Sequence, residues 1–154
     1  MNEEIIAFVR ELNEIEYACQ VMLAQEYAGV LDETITSSQI IILNHLNESS
    51  GRLLTGELAR LMKISPSAIS QMLNKMEKRK LIRRFINQEN RREIYVELDV
   101  GGMEYMNTSQ RVELSIIEKY YAKLSFDDLK ELKNIMSKLK LIIEKEQMKQ
   151  KKGD

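Results

Sequence analysis

Apolar residues between Glu3 and Tyr27 fall at steps of three and four: Ile5, Phe8, Val9, Leu12, Ile15, Cys19, Met22 and Leu23. That spacing draws one apolar stripe along a helix, and Gly29 is a natural stop for it. A second helix is predicted to start at Thr36. There Thr36-Ser37-Ser38-Gln39 reads as a capping box, the Thr hydroxyl accepting from the amide three residues on and Gln39 reaching back. Its body, Ile40 to Leu46, is apolar almost all round and therefore predicted to be buried; Ser49-Ser50-Gly51 ends it. A short third helix follows Thr55, read as its N-cap, with Glu57 near the positive end of the dipole. Leu58, Ala59 and Leu61 or Met62 face inward. The fourth helix, Ser65 to Arg79, opens at Ser65-Pro66, an N-cap followed by a residue whose missing amide costs nothing at the first position. Its buried face is Ile69, Met72, Leu73 and Met76.

After Lys80 the period changes to two. Ile82 to Ile86 and Glu93 to Leu98 read as short strands around the polar loop Asn87-Gln88-Glu89-Asn90-Arg91-Arg92, a β-hairpin with a long basic tip. Asp99 suits the cap of the next helix, whose body runs from Met103 to about Leu124. Ser125, with Asp128 three residues on, starts the last helix. In it Leu129, Leu132, Ile135, Met136, Leu139, Ile142 and Ile143 recur at helical spacing. The fold class is thus mainly α with a small β-hairpin wing: a winged helix-turn-helix over 36–99, flanked by helical regions at 1–35 and 100–154.

Composition narrows the function. The chain has 154 residues, one Pro, six Gly and no Trp, which suits one helical domain with a real core. No apolar run approaches the roughly 18–20 residues of a membrane span. Glu3 and Glu4 stand where a secretory signal would be basic, so a cytoplasmic protein with no membrane association is predicted. One cysteine, Cys19, allows no internal disulfide, and one histidine, His45, allows no metal cluster. His45 reads as an interhelical or interface contact. No cofactor, metal or catalytic site is predicted, and an enzyme has almost nothing to support it.

Charge then selects a partner. From Arg60 to Arg92 ten basic residues face only Glu77 and Glu89, a net of +8, whereas residues 1–59 carry −8 and residues 93–154 carry −1. Such a block concentrates phosphate and releases counterions, which points to double-stranded DNA. On the fourth helix Ser67, Ser70, Gln71, Asn74, Lys75, Lys78 and Arg79 face outward. Gln71 and Asn74 have amides able to pair with adenine, while the cations suit phosphate. Arg91 and Arg92 at the hairpin tip suit the minor groove. An acidic protein partner is the reading left open beside DNA.

The stretch Leu54-Thr55, Glu57-Leu58-Ala59, Leu61, Ile64-Ser65, Ser67, Ile69-Ser70, Met72-Leu73, Met76-Glu77, Leu81-Ile82-Arg83-Arg84, Asn90-Arg91-Arg92, Val96, Leu98 and Gly102 resembles the MarR family of bacterial transcriptional regulators over about fifty residues. The resemblance implies a homodimer in which the helices of 1–35 and 100–154 are dimerisation regions that interlock into one intertwined unit, with two winged lobes, each 36–99, on a pseudo-palindromic operator. It also implies a repressor released by a small amphipathic or phenolic effector. It assigns Ser65, Ser67, Ser70, Gln71, Asn74 and Lys75 to the recognition helix and Arg92 to the minor groove. Lys78 and Arg79, with Thr55, Arg83, Arg84, Asn90 and Arg91 around them, complete the candidate DNA-binding set. Tyr17, Met22, Met62, Met72 and Tyr105 are candidates for the effector pocket, where Met103, Met106 and Tyr27 are further choices. Three departures stand out. Lys80 occupies the place of a helix-ending Gly, Asn90 that of the wing Asp, and Asp99 that of a capping Thr. One branch of the family senses peroxide with a cysteine nearer the start of the first helix. Cys19, on the apolar stripe with Glu16 one turn back, reads instead as a small buried packing residue.

Overall fold

Local signals account for most helix starts in the computed structural model, which describes residues 2–49, 51–91 and 93–150. Asn2 caps helix α1 (Glu3–Gln25) by accepting from the Glu4 amide at 3.0 Å. Gly29, at φ +71°, follows its end. The Thr36–Gln39 capping box is formed in both directions at the start of α2 (Ser37–Glu48). Ser65 caps α4 (Pro66–Lys78), with Pro66 at its first position.

The hairpin has a third partner. Arg52–Leu54 forms strand β1, which pairs antiparallel with β3 (Ile94–Leu98); β3 pairs in turn with β2 (Ile82–Ile86), so the sheet order is β1-β3-β2. A three-residue strand is too short to show alternation, and only pairing with residues more than forty positions away makes it one. β1 also displaces the expected cap of α3 (Thr55–Met62). Thr55 is the first helical residue and Leu54 holds the N-cap position, its amide donating to Glu57 Oε2 at 2.8 Å. The Thr55 hydroxyl donates instead to the carbonyl of Ile94 at 3.1 Å, tying α3 to the wing.

The chain folds into two compact units, 1–112 and 113–154. In the first, Ile42, Leu43 and Leu46 of α2, Leu58 of α3, Ile69, Leu73 and Met76 of α4, and Ile82 and Val96 of the sheet are fully buried together. Ile41, predicted to be buried, is exposed, because only one side of α2 meets the core. Cys19 is exposed too, and α1 has no buried residue at all.

Two helices end on lysines with left-handed backbone, Lys63 (φ 53°) and Lys80 (φ 56°). In both places the next residue's amide bonds back into the helix, Ile64 to the Ala59 carbonyl at 3.1 Å and Leu81 to the Met76 carbonyl at 3.0 Å. This is a glycine's turn closed without glycine, at a strain of about 1–2 kcal/mol each. Glycine is indispensable a little later. Helix α5 (Val100–Lys119) starts after Asp99, which accepts from the Val100 amide at 2.8 Å. A Cβ on Gly102 would lie 2.1 Å from the Leu81 carbonyl oxygen.

The second unit holds the end of α5, a 3-10 turn at Tyr121–Lys123 and helix α6 (Phe126–Gln150). The predicted helix body to Leu124 stops at Lys119. Ser125 and Asp128 cap α6 reciprocally, amide to side chain, at 3.1 and 3.0 Å. From residue 130 to 149 every side chain of α6 is exposed. Among the described residues no helix is long and apolar enough to cross a membrane.

Candidate nucleic-acid interface

Helix α4 keeps Ile69, Leu73 and Met76 in the core, and this forces the polar strip outward. Ser67, Gln71, Asn74, Lys75 and Lys78 are exposed and Ser70 is half-buried. The Ser65 hydroxyl is engaged locally, accepting from the Ala68 amide at 3.2 Å and lying 3.0 Å from Ser67 Oγ. Lys75 and Lys78 have no ion partner among the described residues.

Three arginines of the basic block are arranged differently, because Arg79, Arg83 and Arg84 meet carboxylates. Arg79 donates to Asp32 Oδ2 at 2.7 Å, to the Thr34 hydroxyl at 2.7 Å and to the Thr34 carbonyl at 3.2 Å. It thereby fastens the end of α4 to the loop before α2. Hydrogen bonds from the Thr34 hydroxyl and amide, with the charge of Arg79 adding to them, hold the Asp32 carboxyl below its ordinary range. Arg84, on β2, grips Glu77 of α4 through Nε and Nη2, and its own amide donates to Glu77 Oε1 at 3.2 Å. This hydrogen bonding lowers the Glu77 pKa below the usual carboxylate value. Arg84 Nη2 also donates to Asn74 Oδ1 at 2.7 Å.

On the sheet, Glu97 serves two cations, Arg83 at 2.9 Å and Arg52 at 3.0 Å. The Arg52 guanidinium also lies 5.1 Å from the centroids of both Phe85 and Tyr95, which stack on each other. At the wing tip, Asn87 Nδ2 donates to Glu93 Oε2 at 2.8 Å, and the Asn87 side-chain oxygen accepts from the Glu89 amide. Asn90 and Arg91 are exposed there. Arg92 lies outside the described residues.

The five pocket candidates are not brought together. Tyr17 and Met22 are exposed on α1, while Met62 and Met72 pack partly buried against the winged core. Tyr105 is buried and lines a cavity of about 290 Å³ with Leu31, Asp32, Ile35, Arg79 and Leu81. Burial, with the charge of Asp32 next, raises its pKa. Met103 and Met106 line a second cavity of about 490 Å³, beside Glu97 and Leu98. Sequence reasoning did not find Asp32, Thr34, Arg52 or Glu97. Each works through a partner about 45 positions away, which leaves no local signature.

Two helices joined by a tight turn, a three-stranded wing and a polar helix face beside exposed lysines define a winged helix-turn-helix with a candidate DNA-binding face. Residues 34–93 match the model of the MarR family. The segment that carries the winged helix is thus similar to the MarR family of transcriptional regulators. It is 25% identical over 133 residues to the HTH-type transcriptional repressor MdtR of Bacillus subtilis, covering 83% of this chain and 84% of that one. The fold is similar to that of AbsC, a MarR family transcriptional regulator from Streptomyces coelicolor (TM-score 0.65, 23% identity, 94% of this chain and 97% of that one). It is also similar to FabT of Streptococcus pneumoniae, solved in complex with DNA (TM-score 0.74, 14% identity, 91% of this chain and 97% of that one).

Proposed function

We propose that this protein is a cytoplasmic, homodimeric repressor that binds a pseudo-palindromic operator and leaves it when a small effector binds. The observation that carries the DNA reading is the outward strip of Ser67, Gln71 and Asn74, with Ser70 half-buried among them, beside the exposed Lys75 and Lys78. The strip enters the major groove, where Gln71 and Asn74 meet base edges and Ser65, Ser67 and Ser70 allow close approach. Lys75 and Lys78 hold phosphates, and Arg83 flanks the groove. The wing residues Asn90, Arg91 and Arg92 reach the minor groove. Thr55, Arg79 and Arg84 act one step back, bracing wing and helix through the bonds described above.

Dimerisation is supported by the uncovered apolar stripes. Phe8, Leu12 and Ile15 of α1 and Ile135, Leu139 and Ile142 of α6 are about half exposed or more, which a second copy of the chain would cover. Sedimentation at micromolar concentration is expected to give twice the 18.0 kDa chain mass. The effector reading rests on the Tyr105 cavity, close to the lower size limit for ligand sites, about 300 Å³. A small amphipathic or phenolic molecule there would touch the Asp32–Arg79 tie and so bear on the end of α4.

A salt titration with duplex DNA tests the core of the proposal. Affinity is expected to fall steeply with salt, and Lys78→Ala to lower the log–log slope by about one unit while weakening all sequences alike. Salt-independent binding, or preference for an acidic protein over duplex DNA, would overturn it.

A further inference from the structure

Asn74 does not stand alone on the outward strip. Its Oδ1 accepts from Arg84 Nη2 at 2.7 Å, and Arg84 is itself held by the Glu77 carboxylate through Nε, Nη2 and its backbone amide. A guanidinium only donates, so the Asn74 atom that faces it has to be the oxygen. Turning the amide over would set N–H against N–H. The Nδ2 group of Asn74, which has no partner among the described residues, is therefore directed away from Arg84, on an exposed side chain of the same strip as Ser67, Ser70 and Gln71.

We infer that Arg84 is a positioning residue that fixes the amide of Asn74 with its NH₂ toward the DNA, so that Asn74 selects a base by a hydrogen-bond acceptor. The inference rests on the proposed reading of α4 as the recognition helix. In the major groove, guanine offers two acceptors, N7 and O6, and thymine offers O4. Cytosine offers the N4 donor, which opposes an NH₂. The paired contact with adenine needs Oδ1 to accept from N6 while Nδ2 donates to N7, and Arg84 already draws Oδ1 to itself. Asn74 consequently favours guanine or thymine over adenine and cytosine, which differs from the adenine pairing that an isolated asparagine suggests.

The test is selection of bound duplexes from a random pool by the full chain and its Asn74→Ala, Asn74→Asp and Arg84→Lys variants, at one salt concentration. Wild type is expected to enrich guanine or thymine at one position per half-site by roughly 5- to 100-fold, and Asn74→Ala to level that position. Arg84→Lys keeps a positive charge for Glu77 but loses the planar fork that also reaches Asn74. It is expected to admit adenine at the same position, with a melting temperature within about 4 °C of wild type. Asn74→Asp, at an exposed site that does not burden folding, keeps the oxygen toward Arg84 and turns an acceptor outward. It is expected to shift the position toward cytosine or adenine. Adenine or cytosine at the Asn74-dependent position in wild type would overturn the inference, as would an unchanged preference in a folded Arg84→Lys or Asn74→Asp protein. Failure of wild type to select any sequence would overturn the recognition-helix reading as well, and so separates the two.

Discussion

The winged region and α6 are built from the same kinds of residue at the same helical spacing, yet they end in opposite states. In α4, Ile69, Leu73 and Met76 are fully buried, covered by α2, α3 and the sheet. In α6, Leu132, Ile135, Met136, Leu139, Ile142 and Ile143 are each about half exposed. Burying such side chains contributes roughly 1.5–3 kcal/mol apiece, a gain that α4 makes within its own unit. The stripe of α6 leaves that gain unmade among the described residues. An apolar stripe thus tells which side of a helix can be covered, not whether its own chain covers it.

The sharpest way to break the self-sufficient region is Gly102→Ala. The added Cβ would meet the Leu81 carbonyl at 2.1 Å and the Leu43 side chain at 3.2 Å, so α5 could no longer lie against the turn that follows α4. A loss of about 3 kcal/mol or more is expected in urea unfolding. A loss below about 1 kcal/mol would mean that α5 can shift freely.

Next comes a matched pair. Leu73→Ala is expected to cost about 2–5 kcal/mol at any protein concentration, because it leaves a cavity in a closed core. Leu139→Ala is expected to destabilise the protein only where it is self-associated, so its effect on Tm should vanish on dilution. Equal, concentration-independent losses would erase the distinction between the two regions.

A smaller effect runs the other way. Lys80→Gly removes the left-handed strain at the end of α4 and is expected to raise stability by about 1 kcal/mol, since the side chain has no ion partner among the described residues to lose. A decrease would show that the lysine has a compensating contact.

The smallest effect is the pH dependence of the two ties that hold α4. Glu77 and Asp32 both have pKa values depressed in the folded state, the first chiefly by Arg84 and the second chiefly by Thr34. Their stabilisation is complete above the ordinary values of 4.5 and 3.8 and is lost as pH falls below these through the lower folded values. Asp32 is exposed and Glu77 partly so, and the contribution is therefore modest and weakens with salt. Glu77→Gln is expected to flatten the acid limb of the stability curve slightly, and an unaltered limb would show that Glu77 contributes nothing to it.

What the sequence determined by itself is what nearest neighbours decide. The caps at Thr36, Ser65 and Ser125, the proline at the start of α4, the inward faces of α3 and α4 and the change of period after Lys80 all rest on interactions across one to four residues, or on alternation along one strand. The tertiary structure alone decided the rest. Strand β1 exists because Arg52–Leu54 meets β3; Arg79 is tied to Asp32, 47 positions earlier; Arg84 reaches back to Glu77 and Asn74; and Cys19 and Ile41 lie exposed although their spacing suggested cover. Periodicity records which way a side chain points relative to its own element, whereas its partner is set by how distant elements meet. For that reason the basic block could be read as a candidate DNA surface from composition, while the contrast between outward Lys75 and Lys78 and the internally paired Arg79, Arg83 and Arg84 could not.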